Sequence, residues 1–177
     1  MPAVDLVGAS SIFSAFANCQ SHTKTRIMPD TVTHDLFGAL EVEIEDGICH
    51  LNGETAVGIG GATPLHITGR EGQSTAEILK LAASAHTLFE WREEDLRDAA
   101  VRAVVTQEKV NNASEEIGEK LSMEDVVKGY SKIMIINYFT QANEVSVYFE
   151  DVEGLIGMDV ILLSDLAFST VHSGLDG

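Results

Sequence analysis

Residues able to do chemistry are few in this chain, and they are scattered. Cys49-His50, with His66 further on, is the densest group of thiol and imidazole side chains, and Cys19 with His22 adds one loose pair. Zinc sites built from such residues show paired spacings, Cys-x₂₋₄-Cys or His-x₃₋₅-His, and neither is present here. A buried thiol behaving as a small hydrophobe, beside two strand histidines, is the simpler reading, so no metal or cofactor is expected. Gly58-Ile59-Gly60-Gly61 invites comparison with a nucleotide loop, yet Thr63 stands where a third glycine belongs. Pro64 then leads into a β-branched run, not into the helix whose amides would hold a phosphate. These glycines read as turn or bulge positions. No Gly-x-Ser-x-Gly elbow occurs, and His172-Ser173 is expected in a tail beyond the last strand. With 28 Asp and Glu, any two carboxylates can meet by chance, so acid–base pairs carry no signal. The expectation is a protein that is not an enzyme.

Charge is the strongest feature. Eleven Lys and Arg oppose 28 Asp and Glu, a formal net charge of −17. Such a chain repels nucleic acid and anionic membranes, which are bound through cationic contacts. It attracts basic proteins, and its field speeds their encounter. Plain solubility would be served by interspersed signs, but here the signs are segregated. No Lys or Arg follows Lys132, and residues 37–54 hold Glu41, Glu43, Glu45, Asp46 and Glu54 with none. Two stretches are therefore candidate partner-binding surfaces: Glu150, Asp151 and Glu153 first, then Glu41, Glu43 and Glu45. Glu93, Glu94 and Asp95 are explained instead as the acidic first turn of a helix.

A length of 177 residues with 45% hydrophobic content suits one domain with a proper core. No apolar run reaches 18 residues, and the first 20 lack a basic segment. Neither a membrane span nor a secretory signal is expected, and two cysteines read as reduced thiols of a cytoplasmic protein. Residues 1–36 are poorly readable: Ser10–Asn18 fits a short helix or a strand, and His22–His34 fits a loop turning at Pro29-Asp30. Residues 37–177 read as a single domain.

Leu40, Val42 and Ile44 alternate with glutamates as a half-buried strand does. Asp46-Gly47 offers a type I′ turn into Ile48–Leu51, and Asn52-Gly53 a second turn leading to Thr55, Val57 and Ile59. A further strand covers Leu65–Thr68. Ser74 and Glu77 form a capping box for a helix running toward Trp91. A second helix opens at Glu93 and stops near Asn111-Asn112, and Ser122 with Asp125 starts a third that ends at Gly129. Lys132–Phe139, the alternation through Val145, Val147 and Phe149, that through Met158, Val160 and Leu162, and Ala167–Val171 supply the last strands. Strands, helices, then strands again imply an α+β fold: a mostly antiparallel sheet, an N-terminal and a C-terminal meander, with two to three helices on one face.

His34-Asp35-Leu36-Phe37-Gly38 opening a strand, a helical pair around Trp91, Val147-Tyr148-Phe149-Glu150-Asp151 followed by Gly157–Ser164, and a terminal Ser173-Gly174-Leu175 together resemble a family of small bacterial α+β domains. That family includes immunity proteins of contact-dependent and other polymorphic toxin systems. The chain differs at Ile156, Met158 and Asp159, where the family tends to show an aromatic residue and a histidine, and no site residue is carried over. The resemblance implies neutralisation of a cognate basic toxin domain, such as a nuclease, by direct binding. The rival readings are an enzyme with an unrecognised site and an acidic housekeeping binding or scaffold protein.

Overall fold

The computed structural model describes residues 30–57, 61–70 and 72–176. Thr31–Gly177 form one compact unit. The expected elements at Ser10–Asn18, the pair Cys19 and His22, and most of the stretch from His22 lie outside the described residues. Eight strands make one sheet in chain order: β1 (Asp30–His34), β2 (Gly38–Glu45), β3 (Ile48–Ala56), β4 (Ala62–Gly69), β5 (Lys132–Phe139), β6 (Glu144–Glu150), β7 (Asp159–Asp165) and β8 (Val171–Asp176). Every registered pairing is antiparallel except β4 with β5. Three helices connect those two strands: α1 (Thr75–Val104), α2 (Gln107–Ile117) and α3 (Met123–Gly129). A parallel pair needs a long crossover, and the helical segment supplies it. The result is an α+β fold with the helices packed on one face of a mostly antiparallel sheet.

The alternation that marks the strands decides which face meets the helices. Leu40, Leu51, Leu65, Ile67, Ile136, Tyr138, Val145, Val147, Phe149, Val160 and Leu162 are buried and form the core with Ile78, Ala82, Ala85 and Phe89 of α1. Burying side chains of this size stabilises by roughly 1.5–3 kcal/mol each, before the entropy of ordering them is subtracted.

Several local expectations change. Asp46 and Gly47 both have positive φ, as a type I′ turn requires. Asn52-Gly53, however, is no turn but the middle of β3. Glycine is there because a Cβ on Gly53 would run into Leu40 Cδ2 of the neighbouring strand. The last part of the expected His22–His34 loop, Asp30–His34, is strand β1, and Pro29 lies outside the described residues. The two helices expected around Trp91 are one helix of 30 residues, because Arg92–Asp95 contains no breaker. Glu93 is therefore mid-helix and binds Arg97 at 2.6 Å. The helix expected to continue to Asn111-Asn112 breaks after Val104, and α2 is a separate helix capped by Thr106, whose hydroxyl accepts from the Lys109 amide. The expected capping box of Ser74 with Glu77 is present, and Ser122 with Asp125, expected only to start a helix, forms a second one. Finally, Ala167–Thr170 is a turn, and the closing strand is β8, which contains His172 and Ser173. Asp165 makes that turn by accepting from the amides of Ala167 and Ser169.

Candidate functional site

The sheet face opposite the helices collects nearly all the strand carboxylates. The eight strands contain ten Asp and Glu but a single Lys or Arg, Lys132. Nine of the ten, Glu41, Glu43, Glu45, Glu54, Glu144, Glu150, Asp159, Asp165 and Asp176, alternate onto the helix-free face. Their neighbours Leu40, Leu51, Thr55, Val145, Val160 and Leu162 point the other way into the core. The remaining described bases lie on the helices or their connections, except Arg70 just after β4. Alternation causes this segregation: each strand needs apolar residues every second position for the core, so the polar positions fall on one side together.

The six residues expected at an interface fare differently. Glu41, Glu43 and Glu45 are exposed on β2, about 7 Å apart along the strand. They form a comb of charge with no ion partner among the described residues. Glu150 instead lies directly across from Lys132 and forms an ion pair with it. The expectation that the C-terminal field is uncompensated was therefore mistaken at Glu150: its neutralising base precedes it in sequence but faces it across β5 and β6. Asp151 turns inward and accepts from the amides of Leu155, Ile156 and Gly157 at 3.1, 2.7 and 2.8 Å. It closes its own loop. Of that trio only Glu153, with no ion partner among the described residues, is exposed. The two trios are four strands apart, so they do not form one patch.

Between them runs a polar row in strict register: Glu41, Asn52, His66, Asn137 and Ser146 on β2 to β6. Asn137 donates to the Ser146 hydroxyl at 3.0 Å. His50 and His66 share a hydrogen bond between Nδ1 and Nε2 at 3.2 Å, with ring centroids 5.4 Å apart. That centroid separation places both nitrogens nearly on the line between the rings, so they point at each other and not at a common third point. A shared proton fits this geometry; a chelated metal does not. Burial, and then the neighbouring His50, holds His66 below the ordinary histidine range. Cys49 faces the opposite side of β3 and does not join the pair. Among the described residues, no group of three or more His, Cys, Asp and Glu is placed to hold a metal.

One polar cluster was not anticipated. His86 of α1 is fully buried and exchanges hydrogen bonds with Tyr138 Oη at 2.9 Å and Thr55 Oγ1 at 3.1 Å. Phe37 packs edge-on against its ring. Burial pushes its pKa down to about 4. Each imidazole nitrogen has a hydroxyl partner that can donate or accept, so the neutral ring is satisfied whichever tautomer it takes. The cluster pins α1 to β3 and β5, which flank β4. It opens onto no described groove and is structural. Its only sequence signal was a histidine at a buried helical position, three residues before Phe89.

No family model matches this chain, and neither do any curated proteins or solved structures. Among the described residues, no helix is long and apolar enough to cross a membrane.

Proposed function

We propose that the chain is a protein-binding domain that takes a basic partner on its helix-free sheet face, and that its role is immunity: occlusion of a cognate basic toxin domain. The observation that carries the reading is the segregation of charge, nine strand carboxylates on one face against one ammonium that is already paired. A rigid sheet presents these charges at fixed spacing, and complementary fields of this kind raise association rates and orient the partner. Fast capture suits an inhibitor whose free target is lethal. The immunity role itself draws on the family resemblance.

Two features favour Glu41, Glu43 and Glu45 over Glu150, Asp151 and Glu153 as the centre of contact. The first trio is exposed with no ion partner among the described residues, whereas Lys132 neutralises Glu150 and Asp151 is half-buried in its own loop. The test is stopped-flow association with a basic toxin domain, taken from any such gene found beside this one, at increasing salt. The rate falls steeply as screening shortens the field to about 8 Å near physiological ionic strength. A rate independent of salt, or no complex with any such domain, contradicts the proposal.

A further inference from the structure

A groove of about 470 Å³ opens where the β5–β6 turn meets the β7–β8 turn. Two cross-strand rows of the acidic face line it. Phe139, Glu144 and Asp165 stand opposite one another in one row, and Ser146, Leu163 and His172 in the next. Like charges directly opposite on antiparallel strands repel, and a cation between them relieves the repulsion. Asp165 is already fixed, because it accepts from the amides of Ala167 and Ser169 and from the Ser169 hydroxyl. That leaves little side-chain entropy to lose on binding. Ser146 is held by Asn137, and Leu163 is exposed beside it as an apolar strip.

We propose that this groove is the socket for one arginine side chain of the basic partner, an inference that rests on the acidic face being the binding surface. A guanidinium suits it better than an ammonium. Its planar face can stack on an aromatic ring such as Phe139, while its fork of donors serves the exposed Glu144 carboxylate, with the charge of Asp165 opposite it in the same row. The volume lies in the range of small-ligand pockets, so an arginine stem and head fit along the Leu163 strip.

The experiment titrates N-acetyl-arginine amide, N-acetyl-lysine amide and N-acetyl-citrulline amide into the full chain, followed by backbone amide NMR. Arginine shifts the amides of Ser146, Leu163 and His172 and binds at least about fivefold tighter than lysine. Citrulline, the neutral isostere, leaves them unmoved. Glu144 is exposed, so Glu144→Gln keeps the folded spectrum while weakening arginine at least about tenfold. Equal shifts from citrulline, or unchanged arginine binding by Glu144→Gln, overturn the socket. If the basic toxin domain is captured while arginine amide leaves the groove unmoved, the socket fails and the face reading survives. If arginine seats in the groove but Glu41, Glu43 and Glu45 can be reversed without weakening the toxin domain, the socket stands and the wider face reading fails.

Discussion

On the helix-covered side of the sheet, His86, Thr55 and Tyr138 form a closed polar cluster in which every hydrogen-bonding group has a partner. On the other side, His50 and His66 share one bond between them, and the exposed glutamates of β2 have no ion partner among the described residues. The two faces belong to the same strands, one residue out of step. What separates them is the cost of leaving a polar group unpaired, which is severe under the helices and small beside water. The fully satisfied His86 cluster belongs to the side that holds the fold together. Surplus polar capacity lies on the side proposed to take a partner.

The largest expected effect breaks the covered side. His86→Ala removes a buried ring and strands two hydroxyls, and should cost about 3–5 kcal/mol in denaturant unfolding. A loss below about 1 kcal/mol would mean the cluster does not pin α1.

Next comes pH. The folded protein holds His86 neutral down to about 4, whereas the unfolded chain takes the proton near 6.5. Between those values the unfolded state binds the extra proton, so stability is full above about 6.5 and falls as pH drops. The slope approaches about 1.4 kcal/mol per unit. Asp125 and Asp165 are held below the usual carboxylate range, chiefly by hydrogen bonds from Ser122 and Ser169, and act in the same direction at lower pH. In a His86→Gln variant, unfolding measured from pH 7 to pH 4 should lose most of this slope. An unchanged slope would assign the effect elsewhere.

Smaller still is a paired comparison of two threonines on opposite faces. Thr55→Val removes the hydroxyl bonded to His86 Nε2, which keeps only Glu90 Oε1 at 3.8 Å, and should cost about 1–3 kcal/mol. Thr68→Val removes a hydroxyl that has no partner to lose, and should be neutral or stabilising by up to about 1 kcal/mol. Equal losses at both sites would erase the distinction between the faces.

Much of this arrangement was legible in the sequence. The Leu40, Val42, Ile44 alternation located β2 and put its glutamates on the side away from the core, because a period of two is a purely local signal. The capping boxes at Ser74 and Ser122 were equally local. What failed depended on contacts distant in the chain. Gly53 reads as a turn until Leu40 is known to lie against it, and Glu150 reads as unpaired until β5 brings Lys132 across from it. The continuity of α1 through Trp91 was obscured by acids that also suit a helix start. The His86 cluster joins residues 52 positions apart, and only a histidine at a buried helical position hinted at it.

The central claim is that the helix-free face, and not the total charge, binds the partner. It is tested by two triple reversals of equal charge, Glu41, Glu43 and Glu45 to Lys on β2, and Glu115, Glu116 and Glu119 to Lys at the end of α2, with the affinity of each for the basic toxin domain measured by calorimetry. Both sets are exposed, so both variants should fold. The β2 reversal should weaken binding at least about tenfold while the α2 reversal stays within about twofold of the parent. Equal weakening by both would reduce the acidic face to a bulk charge effect, and weakening by the α2 set alone would place the interface on the helices.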